Sequence, residues 1–149
     1  TASSVEDYDG VVANPPTDYV LRFTIEPTGL VAGYSSIIHF TTGKNCCGYG
    51  TRVPGVWFDG EETDRLFVVT GHDASGNAYL YSAELALNIE SNVEILVVGT
   101  KSTLSVNGVV VSTMIIGDRS PLSDVKVFIG SPWYTAADAF ISNVYFGPA

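Results

Sequence analysis

Asn107-Gly108 stands between two strand-like apolar runs, Leu104-Ser-Val106 and Val109-Val-Val111. Asn and Gly both tolerate the left-handed backbone that a two-residue hairpin turn requires. The dipeptide therefore predicts a β-hairpin. Much of the remaining sequence has the same grain. Tyr19, Leu21, Phe23 and Ile25 alternate with Val20, Arg22, Thr24 and Glu26, which is the period of a half-buried strand. Pro27-Thr-Gly29 ends that run. Strand-length segments recur at Ser35 to Thr42, Val53 to Phe58, Leu66 to Thr70 and Ala78 to Ser82. They continue at Asn92 to Val98, Thr103 to Val106, Val125 to Ile129 and Ala139 to Phe146. The count is roughly ten strands, with turn signals about every 8–12 residues, the spacing of a sandwich or barrel. Tyr81 to Ile89 is the single short segment with a helical period.

The centre of the chain is Ser35 to Phe58. Ile37 and Ile38 are adjacent there, so both faces of their strand are expected to be covered. A Gly-rich loop follows and carries both cysteines, Cys46 and Cys47, side by side. Three states are open to this pair: a disulfide within the loop, two buried thiols, or bonds to other chains. The intraloop disulfide is the expectation, as a staple first and a flat binding surface second. Too few other Cys and His residues exist to build a zinc site.

The 149 residues suit one packed domain, because 46% are apolar and only 15% charged. No run approaches the ~20 apolar residues of a membrane helix. The net charge of −9, with seven scattered Lys and Arg, excludes nucleic acid and anionic membrane surfaces as partners. No signal-peptide pattern opens the chain, and Thr1 fits the mature end of a cleaved precursor. Residues 1–18 form an arm with Val5, Tyr8, Val11 and Val12 among acidic neighbours, closed by Asn14-Pro-Pro-Thr17. The arm is a tail, an edge strand of its own domain, or a strand lent to a neighbour. At ~3.3 Å per residue it spans roughly 60 Å, enough to reach another subunit.

Reactive constellations are few. No Gly-x-Ser-x-Gly occurs, His39 lies in an apolar strand, and His72 lies in a turn. Asp59, Glu61, Glu62 and Asp64 place four acids in six residues, which offers oxygens to calcium, although their spacing fits no calcium loop and a solvated acidic turn is the plainer reading. No other cofactor is implied. Among the aromatics, Trp57 sits in a core-like strand, whereas Tyr49, Trp133 and Tyr134 sit in loops and are the candidates for contacting a glycan. No Asn-x-Ser/Thr occurs; Asn45-Cys-Cys47 is the rare Asn-x-Cys form.

Several segments carry a resemblance. Tyr19-Val-Leu-Arg-Phe-Thr-Ile-Glu-Pro27 resembles an opening strand of the concanavalin A-like lectin/glucanase jelly roll, the group with laminin G-like and pentraxin-like domains. Ser36-Ile-Ile-His-Phe40 with Arg52-Val-Pro-Gly-Val-Trp-Phe58 is similar to its paired inner strands, and Leu104-Ser-Val-Asn-Gly108 to its late hairpin. Val127-Phe-Ile-Gly-Ser-Pro-Trp-Tyr134, running into Ala139-Phe-Ile-Ser-Asn-Val-Tyr145, resembles its closing strands. The likeness is greatest to forms in secreted proteins of aquatic microbial eukaryotes, where a Cys-Cys loop precedes an Arg-x-Pro strand. The glucanases of this group use a Glu-x-Asp-x-(x)-Glu strand; here only Glu62-Thr-Asp64 comes near, and the third acid is missing. Calcium use in the related domains keeps the acidic turn in view.

These readings give an all-β, two-sheet antiparallel jelly-roll sandwich over 19–149, preceded by an extended arm over 1–18. The expected protein is extracellular and not an enzyme. The expected function is that of a structural subunit that self-assembles into a fibre or coat through its arm; the alternative is a carbohydrate-binding, lectin-like module.

Overall fold

The computed structural model describes the backbone of residues 7–60, 63–130 and 132–149, with side chains from Gly10 onward. Twelve strands follow one another: β1 (Asp7–Val12), β2 (Tyr19–Pro27), β3 (Ser35–Thr41), β4 (Gly55–Phe58), β5 (Arg65–His72) and β6 (Ser75–Glu84), then β7 (Ser91–Val98), β8 (Lys101–Val106), β9 (Val109–Ile115), β10 (Val125–Ile129), β11 (Thr135–Ala136) and β12 (Ala139–Pro148). Among the described residues there is no helix. The strands form two antiparallel sheets. One runs β1-β10-β3-β4-β5-β6, with the short β11 bridged to β3 in the one parallel pairing among the described residues; the other runs β12-β2-β7-β8-β9.

The core lies between the sheets. Leu21, Phe23 and Ile25 of β2 and Val93, Ile95 and Val97 of β7 face Phe40, Val56, Phe58, Leu66, Val68 and Leu80 of the first sheet. The Phe40 and Phe146 rings meet at 4.5 Å across this interface. Alternation on β2 is as the sequence predicts, but Val20 and Thr24 are also covered. All seven residues of β3 are buried. A bulge opposite β4, between Ser36 and Ile38, lets both Ile37 and Ile38 join the core. The Asn107-Gly108 turn forms with φ of 51° and 80° and closes β8 onto β9.

One sequence expectation changes, and one left open is narrowed. Tyr81 to Ile89 is not helical: β6 continues to Glu84 because β5 offers ladder partners, Phe67 opposite Tyr81 and Arg65 opposite Glu84. The arm is not free along its length. β1 pairs with β10 of its own chain, Tyr8 opposite Phe128, Val11 opposite Lys126 and Val12 opposite Val125. An open edge of β10 with unpaired amides explains this docking. Val12 also packs against the core, and the Arg119 side chain donates to the Thr17 carbonyl and the Asp18 carboxylate. Val5 lies outside the described residues.

Ile95 is fully buried at the middle of β7. Ile95→Ala is expected to lower unfolding free energy by about 2–5 kcal/mol in urea titration, the range for truncating a core Ile. A loss well under ~1 kcal/mol would contradict a close-packed core at this position.

Candidate functional site

Strands β3 to β6 send alternate side chains to the core and to the opposite, outer face. The outer set is His39, Trp57, Phe67, Tyr79 and Tyr81. Their rings form a connected layer: His39 to Trp57 at 5.1 Å, Trp57 to Phe67 at 6.1 Å, Phe67 to Tyr79 at 5.6 Å and to Tyr81 at 5.1 Å. Loops extend it. Tyr34 meets Phe67 at 5.4 Å and Tyr134 meets Trp57 at 5.6 Å. Gly55 makes room for the centre of the layer, because a Cβ there would collide with the Trp57 indole.

This layer walls a groove of about 300 Å³. Tyr34 and Tyr79 flank it with half-exposed rings, Trp57 and Phe67 line it, and Arg52, Asn77 and Tyr134 supply polar groups. The shape and lining fit a small-ligand site, apolar with a few convergent polar atoms. Arg52 organises the polar side. Its Nε donates to the Asn45 carbonyl at 3.0 Å, one terminal nitrogen to Asn77 Oδ1 at 2.9 Å, and the other to the Tyr134 hydroxyl at 3.2 Å. Its guanidinium sits 4.8 Å from the Trp57 ring centroid.

The cysteine loop closes one side. Cys46 and Cys47 form a disulfide, with a cis peptide between them. Asn77 Nδ2 donates to Cys46 Sγ at 3.8 Å. The loop backbone presses on Gly76, where any Cβ would overlap the Cys47 carbonyl. The disulfide thus stands at the rim of the groove. A larger concavity, about 420 Å³, lies on the other sheet. Its polar groups already pair with one another, Thr24 with Asn92 at 3.0 Å and Arg22 with Glu94 at 2.9 Å, so the aromatic groove is the better candidate.

The residues singled out from sequence separate. Tyr134 lines the groove. Trp133 lies beside it, its ring 5.3 Å from His39 and 5.8 Å from Phe128. Tyr49 is elsewhere, donating its hydroxyl to the Ser120 carbonyl at 2.7 Å. Trp57 is buried, as expected, yet it contributes to the groove's lining. Asn77, Tyr79 and Phe67 were not singled out. Their signal was a strand that stays aromatic on the face opposite its core residues, as in Asn77-Ala-Tyr-Leu-Tyr81.

The acidic turn assembles no ligand set among the described residues. Asp59 accepts from Arg65 Nε at 3.0 Å, and Asp64 is buried; Glu61 and Glu62 lie outside the described residues. Burial pushes the Asp64 carboxyl up to about 6, with Glu84 and Asp138 adding to the rise. His39 is buried too. Its Nε2–H donates to the Thr51 carbonyl at 2.7 Å, and burial holds its pKa down at about 4, so the ring is neutral near pH 7. No carboxylate lines the groove among the described residues, so the paired acids of glycoside hydrolysis are not assembled there.

No protein-family model and no curated protein matches the sequence. Solved structures do match. A Trypanosoma rangeli sialidase aligns at 16% identity and TM-score 0.63, over 87% of this chain but only 20% of the sialidase chain. Sheep galectin-11 in complex with glycerol aligns at 16% identity and TM-score 0.60, over 97% of this chain and 99% of its own. The carbohydrate-binding module CBM66 from Bacillus subtilis aligns at 13% identity and TM-score 0.52, over 89% and 76%. The fold is the concanavalin A-like jelly roll. Identities this low speak for the fold alone. None of these three comes from an aquatic microbial eukaryote, and they give the narrower likeness no support.

Asp64 gives a pH-dependent expectation. Its folded-state pKa of about 6 lies above the usual 3.8, so the folded protein holds the proton more tightly than the unfolded chain. The resulting stabilisation is complete at low pH and is lost as pH rises through about 6. Asp64→Asn should therefore be more stable than the parent near neutral pH, read as a higher melting temperature, with the gap closing at acid pH. An Asn variant equally or less stable at neutral pH would show that the carboxylate has a partner there.

Proposed function

We propose that this protein is a non-catalytic carbohydrate-binding module of lectin type, holding a sugar in the groove between Tyr34, Trp57, Tyr79 and Tyr134. The observation that carries this reading is the outer aromatic layer itself. Exposed tyrosines at 45% and 52% flank a concave surface that no part of the described chain covers. A sugar ring has an apolar C–H face and a rim of hydroxyls. Aromatic rings satisfy the first, and fixed amide and guanidinium groups the second. Arg52, Asn45, Asn77 and Tyr134 form such a set, pre-positioned by one another. The structural likeness to a galectin and to a carbohydrate-binding module supports the same reading at the level of fold. A secreted location fits the Cys46–Cys47 disulfide, which oxidising compartments preserve.

A second reading, a self-assembling structural subunit, is supported by two strand edges. β1 precedes Pro15-Pro16 and lies at the edge of its sheet against β10, a place that a strand lent by a neighbouring subunit would fill equally. β9 is an open edge whose Val109, Val110 and Ile115 are exposed, with no charge or proline along it.

A glycan array run with calcium and again with chelator tests the first reading, because a blank result in both conditions would end it. Tyr79→Ala is expected to weaken binding about tenfold or more with little change in melting temperature, since stacking on one ring contributes roughly 1–2 kcal/mol. Deleting residues 1–16 tests the second reading by light scattering and microscopy. Loss of polymers with a folded core is the expected outcome; normal assembly without the arm would rule out arm exchange.

A further inference from the structure

Four arginines occur in the chain. Three pair with carboxylates: Arg22 with Glu94, Arg65 with Asp59 and Arg119 with Asp18. Arg52 does not. Its partners among the described residues are an amide oxygen, a backbone carbonyl and a phenol, all neutral. Among the described residues that line the aromatic groove, it is also the one that is formally charged. The guanidinium has five N–H groups. Three make hydrogen bonds of 2.9 to 3.2 Å; another reaches Asn45 Oδ1 only at 3.5 Å. Donor capacity is therefore left over, in a chain whose net charge is −9.

Resting on the carbohydrate reading, we infer that the groove selects an acidic sugar, whose anionic substituent sits against Arg52 while its ring lies along the tyrosines. An isolated cation in an aromatic groove gains a charge-assisted hydrogen bond from such a ligand that a neutral sugar cannot supply. Desolvation holds Arg52 below the usual guanidinium range, and the nearby Tyr134 opposes that shift. An anion would relieve the remaining burial cost. The chain's overall negative charge acts over distances that physiological salt screens, beyond about 8 Å, so it slows approach more than it weakens a seated contact. The neighbouring wall adds selectivity, because the same groove offers no carboxylate to repel the anion among the described residues.

The test is calorimetric titration of the intact protein with matched probes. An oligogalacturonate is compared with the same oligomer carboxyl-reduced to its neutral form, and a sulfated galactan oligomer with its desulfated form. The expected result is at least about tenfold tighter binding of one acidic probe than of its neutral counterpart, the scale of one charge-assisted hydrogen bond. Which pair shows the preference identifies carboxylate or sulfate as the anion. The preference should shrink with added salt, disappear in Arg52→Gln and survive in part in Arg52→Lys. Both variants are checked by near-ultraviolet circular dichroism. Equal binding of acidic and neutral members in both pairs, by the unaltered protein, overturns the inference and leaves the carbohydrate reading standing. Absence of binding to all four probes and to a broad glycan array overturns both.

Discussion

β3 is covered on both faces, and the rest of the molecule is arranged around that fact. Its inward side meets the second sheet through Phe40 and the bulged Ile37-Ile38 pair. Its outward side carries His39, which lies beneath Trp57 and Trp133. Ser35, Ser36, His39 and Thr41 are consequently buried as well. Several of their polar atoms, Ser35 Oγ, Ser36 Oγ and His39 Nδ1, lack a hydrogen-bond partner among the described residues. Such burial is costly and is tolerated only where packing on both sides is dense. The aromatic layer over the first sheet supplies that density on the outside. It is thus part of the structure before it is a binding surface.

The same layer explains why the groove has its position. Trp57 needs Gly55 beneath it, and Arg52 needs Trp57 as a face to rest on. Arg52 then ties Asn45, in the cysteine loop, to Asn77 on β6. Gly76 lets that loop approach β6 without a side chain between them. Sequence positions 45, 52, 77 and 134 are brought to one rim by this chain of contacts. A site preorganised in this way loses little conformational entropy when a ligand arrives.

Much of the fold was legible because strand periodicity is a local signal. Tyr19 to Glu26, Val125 to Ile129 and the Asn107-Gly108 turn came through with nearly their observed bounds. Tyr81 to Ile89 misled, since a short apolar spacing cannot reveal that β5 lies beside it with unpaired amides. The arm was left open among three placements, because all three have the same local sequence and only the neighbouring edge of β10 separates them. For the site, Tyr134 was legible as a loop aromatic. Tyr49 looked equivalent but turns to Ser120 instead. Asn77 fell just outside the expected strand Ala78 to Ser82, and Tyr79 lay within it with no local sign of which face it takes.

The amino-acid sequence by itself determined the all-β class, the position of most strands, the hairpin and the adjacency of the two cysteines, because each depends on residues within one or two turns of chain. The tertiary structure decided which aromatic side chains share a face, which arginine has no carboxylate partner among the described residues, and which strand covers which edge. Those depend on pairings between residues tens of positions apart, where register and sheet order, not local propensity, set the outcome.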